Sequence, residues 1–121
     1  MTPRHVFVLA RWASKPYRYA GVSRPEGGLC LPGGQVNDGE TGADAVIRES
    51  REDGWEILLN NNKPIHSQLV AGKLVAWYGG IAVKQRKPRR KGDQKGTYTV
   101  GLKPSQIVSV GVISDKLGIP L

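Results

Sequence analysis

The chain has 121 residues, enough for one domain with a single hydrophobic core and too few for two. Its formal net charge of +8 favours anionic partners such as nucleotides, nucleic acid or acidic lipid, and its apolar runs are too short to cross a membrane. Cys30 is the only cysteine, which excludes an internal disulfide and a cysteine-based metal site and fits a reducing, cytoplasmic location.

The first third of the chain predicts a hairpin followed by a short strand. The nearly continuous apolar run at 5–12 predicts a buried strand, "ASKP" predicts a turn, and 17–24 is the expected partner strand. "LCL", at 29–31, predicts a short strand that enters Pro32-Gly33-Gly34.

A helix is predicted from about Gly42 to Asp53. Thr41 is its expected N-cap, with Asp44 three residues on as a capping-box partner, and Gly54 stands where a C-terminal glycine cap would. One apolar stripe, opposite the carboxylates, is expected to pack on the sheet. Its members are Ala43, Val46 and Ile47.

The second half of the chain predicts mostly strands. Residues 55–59 form one candidate, 65–72 are ambiguous, and 73–83 predict a strand whose glycine pair suggests a bulge. A basic loop is predicted at 84–96, a β-rich run at 97–102, and at most short helical turns from Pro104 onwards.

Carboxylates are concentrated in one part of this basic chain, since seven of the ten acidic residues lie between 38 and 56. On the predicted helix, Glu49, Glu52 and Asp53 share a face, where their charges repel one another. A bound divalent cation removes that repulsion, and Mg²⁺ suits oxygen ligands while keeping substrate phosphates in its shell. The alternative is a solvated acidic face on an ordinary amphipathic helix.

The segment "GQVNDGETGADAVIRESREDGW", at 34–55, has a longer pattern than an acidic cluster alone. Gly34, five residues, Glu40, seven residues and then "RESREDG" resemble the Nudix box of the Nudix hydrolase family. The preceding strand that ends at Arg24, a loop and "LCLPGG" resemble the usual lead-in to that box. The box covers about a fifth of the chain.

The resemblance implies a fold and a reaction. The fold is α/β, a Nudix-type α/β/α sandwich with a mixed sheet and the box helix packed on it, in a single domain over 1–121. The reaction is hydrolysis of a nucleoside diphosphate linked to another moiety, with Mg²⁺ or Mn²⁺ as cofactor. A nucleoside triphosphate, oxidised or not, is the expected substrate because the chain is small and has no added domain. It would give monophosphate and pyrophosphate.

Several alternatives stay open. Within the reaction class they are ADP-ribose, dinucleoside polyphosphates and capped RNA. Outside it, the chain is a Nudix scaffold that binds nucleotide or RNA without catalysis. A monomer and a homodimer are both compatible with the sequence.

The resemblance also implies roles for particular residues. Arg48 and Glu40 would form the ion pair that orients the helix, and Arg24 and Gly34 would contact the substrate. The general base is open between Glu49, Glu52 and Asp93, the last in the basic loop. The implied catalytic residues are Glu52, Glu49 and Arg48, and the implied metal ligands are Glu49, Glu52, Asp53 and the carbonyl of Gly33.

Three positions depart from the family pattern. Asp53 stands where the family usually has Glu, and its shorter reach is expected to weaken one metal contact. Ser50 occupies a normally aliphatic position and is expected to weaken packing of the helix on the sheet. The closing glycine, Gly54, comes one residue early.

The basic loop carries seven of the eighteen Lys and Arg residues between 84 and 95. One interpretation is an electrostatic funnel for polyphosphate, with Arg89 and Arg90 as substrate contacts, and another is a contact for RNA. A solvated loop without either role is the third.

Overall fold

One mixed sheet dominates the computed structural model, which describes residues 2–25, 28–86 and 97–109. Two helices accompany it in these ranges. In chain order the elements are β1 (His5–Trp12), β2 (Lys15–Arg24), β3 (Gly28–Cys30), β4 (Gly33–Gln35), α1 (Gly42–Glu52), β5 (Trp55–Leu59), β6 (His66–Val70), β7 (Lys73–Gln85), β8 (Tyr98–Leu102) and α2 (Pro104–Ser109).

The sheet is built around a parallel pair, β1 and β7, whose register runs from His5↔Val75 to Trp12↔Ala82. The strand order is β3-β2-β1-β7-β5, while β4 joins β1, β6 joins β7 and β8 joins β2. All of these other pairs are antiparallel. The sheet is therefore mixed, as predicted.

Each face of the sheet carries its own hydrophobic core, because successive side chains of a strand point to opposite faces. Along β1, Val6 and Val8 join the core beneath α1, whereas Leu9 joins the core that contains Ile107 of α2. The α1-side core also takes Trp55, whose indole N–H donates to the carbonyl of Gly21 at 2.8 Å. This arrangement of helix, sheet and helix confirms the predicted α/β fold.

Most predicted elements are present, with some changes. The hairpin of β1 and β2 is confirmed, and the ambiguous run at 65–72 contains β6. The bulge suggested by the glycine pair of β7 is wrong in position. The strand is continuous through Gly79 and Gly80. The register shift in its pairing with β5 lies further along, where Ile57 pairs with Ala82 but Glu56 pairs with Lys84.

The tail from residue 110 onwards, and most of the predicted basic loop, lie outside the described residues. Neither of the two described helices is long and apolar enough to cross a membrane.

Candidate active site

The glycine turn brings the backbone of β4 against both β1 and α1. A Cβ on Gly33, which pairs with Phe7 of β1, would lie 2.1 Å from the carbonyl oxygen of the preceding residue, Val6. A Cβ on Gly34 would lie 2.5 Å from the carboxyl carbon of Glu49. Only glycine permits these approaches, so Gly33 lets the turn lie close to β1, and Gly34 lets the buried carboxylate of Glu49 lie directly on the backbone of the turn.

Local capping sets where α1 begins and ends. The Thr41 hydroxyl accepts a hydrogen bond from the Asp44 N–H at 3.1 Å, as predicted for the N-cap. At the other end Asp53 is the C-cap, and Gly54 follows in the left-handed region with φ +99°. The helix therefore ends directly at the acidic cluster, which fixes the position of its carboxylates relative to the sheet.

Arg48 connects four groups of the site. Its guanidinium makes a two-pronged ion pair with Glu40, Nε–Oε2 at 2.7 Å and Nη2–Oε1 at 2.9 Å, and Nη2 also donates to the carbonyl of Gln35. Its Nη1 lies 3.0 Å from Oε1 of Glu49 and 3.4 Å from Oε1 of Glu52. One cationic nitrogen thus lies between the two carboxylates.

The same contacts shift two pKa values. The side-chain hydrogen bonds from Arg48, with a backbone N–H from Asn37, lower the pKa of Glu40 to about 2. Reciprocally, the hydrogen bonds with Glu40 raise the pKa of Arg48 above its usual value. The ion pair therefore stays charged over the whole neutral range.

Asp53 takes part in a separate group of contacts. Its side chain is fully buried, and its Oδ2 accepts hydrogen bonds from Nη2 of Arg24 at 3.0 Å and from the N–H of Gly33 at 3.2 Å. Burial by itself lowers the pKa of the Arg24 guanidinium, but the charges and hydrogen bonds of Asp53 and Cys30 together outweigh it, and the pKa is raised. Nε of Arg24 also lies 3.2 Å from Sγ of Cys30.

The sequence-predicted residues therefore fall into two neighbouring groups. Glu40, Arg48, Glu49 and Glu52 form one network. Gly33 and the pair Arg24–Asp53 form the other, and Gly34 contacts Glu49 between them. Arg89, Arg90 and Asp93 lie outside the described residues.

One expectation about α1 is wrong. Its apolar stripe does not lie opposite the carboxylates, because Glu49 and Asp53 are 7% and 0% exposed and share the buried side with Val46. The reason is that the C-terminal half of the helix faces the polar backbone of the glycine turn. Ser50 is also fully buried, and among the described side chains its hydroxyl is the buried polar atom without a hydrogen-bond partner.

Cys30 was not among the predicted site residues. The register of the β2–β3 pair, in which Arg24 opposes Gly28 and Val22 opposes Cys30, places its thiol beside the guanidinium. A hairpin register assigned from the sequence would have pointed to this contact.

Two depressions flank α1 in the described part of the chain. The larger, about 740 Å³, lies between residues 2–4 and residues 35–42 at the start of the helix. The smaller, about 250 Å³, is lined by residues of the helix itself, including Arg48, Arg51 and Glu52. Of Glu49, Glu52 and Asp53, Glu52 is therefore the one that lines this smaller depression.

Within the described ranges, no three His, Cys, Asp or Glu side chains already surround a common metal position. The donors nevertheless fit a divalent cation. Glu49 and Glu52 carry oxygen ligands that already share one positive charge on Arg48, and the backbone of the glycine turn lies directly against Glu49.

Comparison with solved structures shows where this architecture recurs. A hydrolase of the Nudix family from Clostridium perfringens matches with a TM-score of 0.69 at 14% identity, over 100% of this chain and 99% of the other. The chain has the Nudix fold. An Ap4A hydrolase from C. elegans shares the Nudix fold with a TM-score of 0.69 at 11% identity, over 95% of this chain and 91% of its own.

A MutT structure, from work on Aliivibrio salmonicida and Vibrio cholerae, matches this Nudix fold with a TM-score of 0.63 at 16% identity, over 98% of both chains. The sequence matches no family model and no curated protein. The predicted Nudix fold is confirmed, and the box at 34–55 occupies the turn and helix described above.

Proposed function

We propose that this protein is a Nudix hydrolase that cleaves a pyrophosphate linkage in a nucleoside diphosphate derivative, with a divalent cation as cofactor. One observation carries the proposal. In a Nudix fold, Glu49 and Glu52 are held on either side of a single positive charge, and Glu49 lies directly against the glycine turn. Nothing about packing requires two carboxylates there.

Each residue of the site has a proposed task. Glu49 and Glu52, with backbone oxygen from Gly33, would hold Mg²⁺ or Mn²⁺. The cation would neutralise phosphate oxygens and lower the pKa of a water molecule. Arg48 keeps both carboxylates in place through its ion pair with Glu40.

Glu52 is the proposed general base among the described residues. Its side chain is 37% exposed, compared with 9% for that of Glu49, so a water molecule can reach its carboxylate. Asp93, the other candidate from the sequence, is outside the described residues. A kcat–pH profile for Glu52→Gln and Asp93→Asn would separate them, because only loss of the base removes the acidic limb of the profile.

The proposed substrate is a nucleoside triphosphate, oxidised or not, hydrolysed to monophosphate and pyrophosphate. ADP-ribose, dinucleoside polyphosphates and capped RNA are the alternatives within the class. Arg89 and Arg90 are proposed to attract the polyphosphate. Arg86, the last described residue before them, donates its backbone N–H to the carbonyl of Gly54 at 2.6 Å, directly after the acidic cluster.

Turnover of a nucleotide panel with Mg²⁺ or Mn²⁺, followed by ³¹P NMR, tests the proposal. Glu52→Gln should lower kcat by at least about 100-fold on the best substrate. Asp44→Asn is the matched control, since Asp44 is an exposed carboxylate on the same helix, and it should stay within about twofold.

A Glu52→Gln variant that keeps most of its kcat would refute the assignment. If no nucleotide is hydrolysed but one binds, the chain is instead the non-catalytic Nudix scaffold.

A further inference from the structure

Asp53 differs from its acidic neighbours in how it is held. Its side chain is 0% exposed, and a single oxygen accepts from both Arg24 and the N–H of Gly33. These contacts join the end of α1, the end of β2 and the first residue of β4. A buried charge is stable only when it is paired and hydrogen-bonded, and both conditions are met here by groups of the protein itself.

We infer that Asp53 is a positioning residue and not a metal ligand. Together with Arg24 it holds the Gly33 peptide, and with it the glycine turn, against the end of the helix. This inference rests on the proposed function, because it divides the roles at the proposed metal site. Glu49 and Glu52 carry the cation, and Asp53 fixes the backbone beside them.

The identity of residue 53 supports this division. The pocket that holds its carboxylate is closed to solvent, and Gly33 has no room to retreat, because even a Cβ there would meet the carbonyl of Val6 at 2.1 Å. A glutamate would add a methylene to a filled space. Aspartate therefore suits the ion pair with Arg24 better than the longer residue that the box usually has.

Arg24 also acquires a different role. A guanidinium that contacts nucleotide would be expected to leave its polar edge to the ligand. Here one terminal nitrogen lies 3.0 Å from Asp53 and Nε lies 3.2 Å from Cys30. The side chain is 19% exposed, so it acts mainly through the protein.

Two measurements on the full chain separate positioning from metal binding. The first is the melting temperature without metal. Asp53→Asn and Arg24→Gln should each lower it by roughly 10 °C or more, and the double variant should lower it by clearly less than the sum. Glu52→Gln, the matched change one residue earlier, should leave it within a few degrees.

The second measurement is Mn²⁺ affinity, by electron paramagnetic resonance at 10 °C, where all variants are to be folded. Asp53→Asn should raise the Kd for Mn²⁺ by no more than about threefold, because both carboxylate ligands stay in place and only the neutral Gly33 carbonyl is shifted, while kcat falls about 100-fold, as expected when a reacting group is displaced by about 1 Å. Glu52→Gln should raise the Kd at least tenfold. Arg24→Lys, which keeps the charge, serves if Asp53→Asn does not fold, and its melting temperature should lie between those of wild type and Arg24→Gln.

Asp53→Glu gives opposite results under the two roles. For a positioning residue, the longer side chain lowers the melting temperature and does not tighten Mn²⁺ binding. For a metal ligand, it tightens Mn²⁺ binding. Tighter binding, or an Asp53→Asn variant with a normal melting temperature and a tenfold higher Kd, would overturn the inference. Failure of the proposed function has a different signature, namely wild-type protein that binds no Mn²⁺ while the metal-free melting results still hold.

Discussion

The close approach between Gly34 and the carboxylate of Glu49 leads to a specific prediction for Gly34→Ala. The new Cβ would lie 2.5 Å from both the carboxyl carbon and Oε2 of Glu49, whereas ordinary contact begins near 3.4 Å. The backbone at Gly34 is not in the left-handed region, so alanine brings no added strain of its own. The carboxylate must therefore move by about 1 Å.

That displacement has a cost in stability and in rate. Glu49 is 7% exposed and cannot move freely into water, and its 3.0 Å contact with Arg48 would be lost. Overpacking of this kind costs about 1–3 kcal/mol, which corresponds to a decrease of roughly 4–12 °C in melting temperature for a chain of this size. A 1 Å misplacement of a reacting group predicts a loss of about 100-fold in kcat.

Differential scanning fluorimetry and steady-state kinetics measure both effects. Gly39→Ala is the control, because Gly39 has φ +80° and nothing within 4 Å of a new Cβ. It should lower the melting temperature through backbone strain, by about 1–2 kcal/mol in stability, and keep kcat within about twofold. Adding Glu49→Asp to Gly34→Ala shortens the displaced side chain and should restore part of the lost stability. A Gly34→Ala variant with unchanged melting temperature and kcat would show that the approach is not tight.

Three further predictions concern other parts of the structure. The ion pair of Glu40 with Arg48 lowers the pKa of Glu40 from 4.5 to about 2, so the stability it contributes is present above pH 4.5 and lost as the pH falls through 2. Urea unfolding of wild type and Glu40→Gln should differ by about 1 kcal/mol near neutral pH and converge near pH 2, and a constant difference would contradict this. Ser50→Ala removes a buried hydroxyl without a described partner and should raise stability by about 1 kcal/mol, whereas a loss would mean that a buried water satisfies it. Neutralising three cations of the basic loop should lower kcat/KM at low salt, matter less at high salt and leave kcat near its wild-type value; equal effects at all salt concentrations would refute a long-range role. The three are Arg89, Arg90 and Lys91.

The sequence predicted the helix of the site well because its ends depend on local chemistry. Thr41 and Gly54 determine the caps through contacts within a few residues, and both are as expected. The Glu40–Arg48 ion pair could be predicted for a similar reason. The spacing of the box specifies it, and only one loop and one helix have to fold correctly.

The contacts of Asp53 could not be predicted from local sequence patterns. Spacing on a helix places Glu49, Glu52 and Asp53 on one face, but it does not say which of them lies under the sheet edge. That depends on the β2–β3 register, which brings Arg24 and the glycine turn to the end of α1. The bulge of β7 was misplaced for a related reason. Glycine is compatible with a bulge and with a regular strand, and the pairing with β5 decides between them.

The parallel pairing of β1 with β7 limits the order in which the parts of the fold can form. His5 pairs with Val75 and Trp12 with Ala82, so residues that pair across the two central strands are 70 positions apart in the chain. Closing such a loop costs on the order of 4 kcal/mol of chain entropy before the contacts form. The glycine turn and α1 both lie inside that loop and dock on its strands. During synthesis, the acidic cluster therefore leaves the ribosome well before the strand that completes its support, and we expect the site to be assembled in a late, slow step of folding.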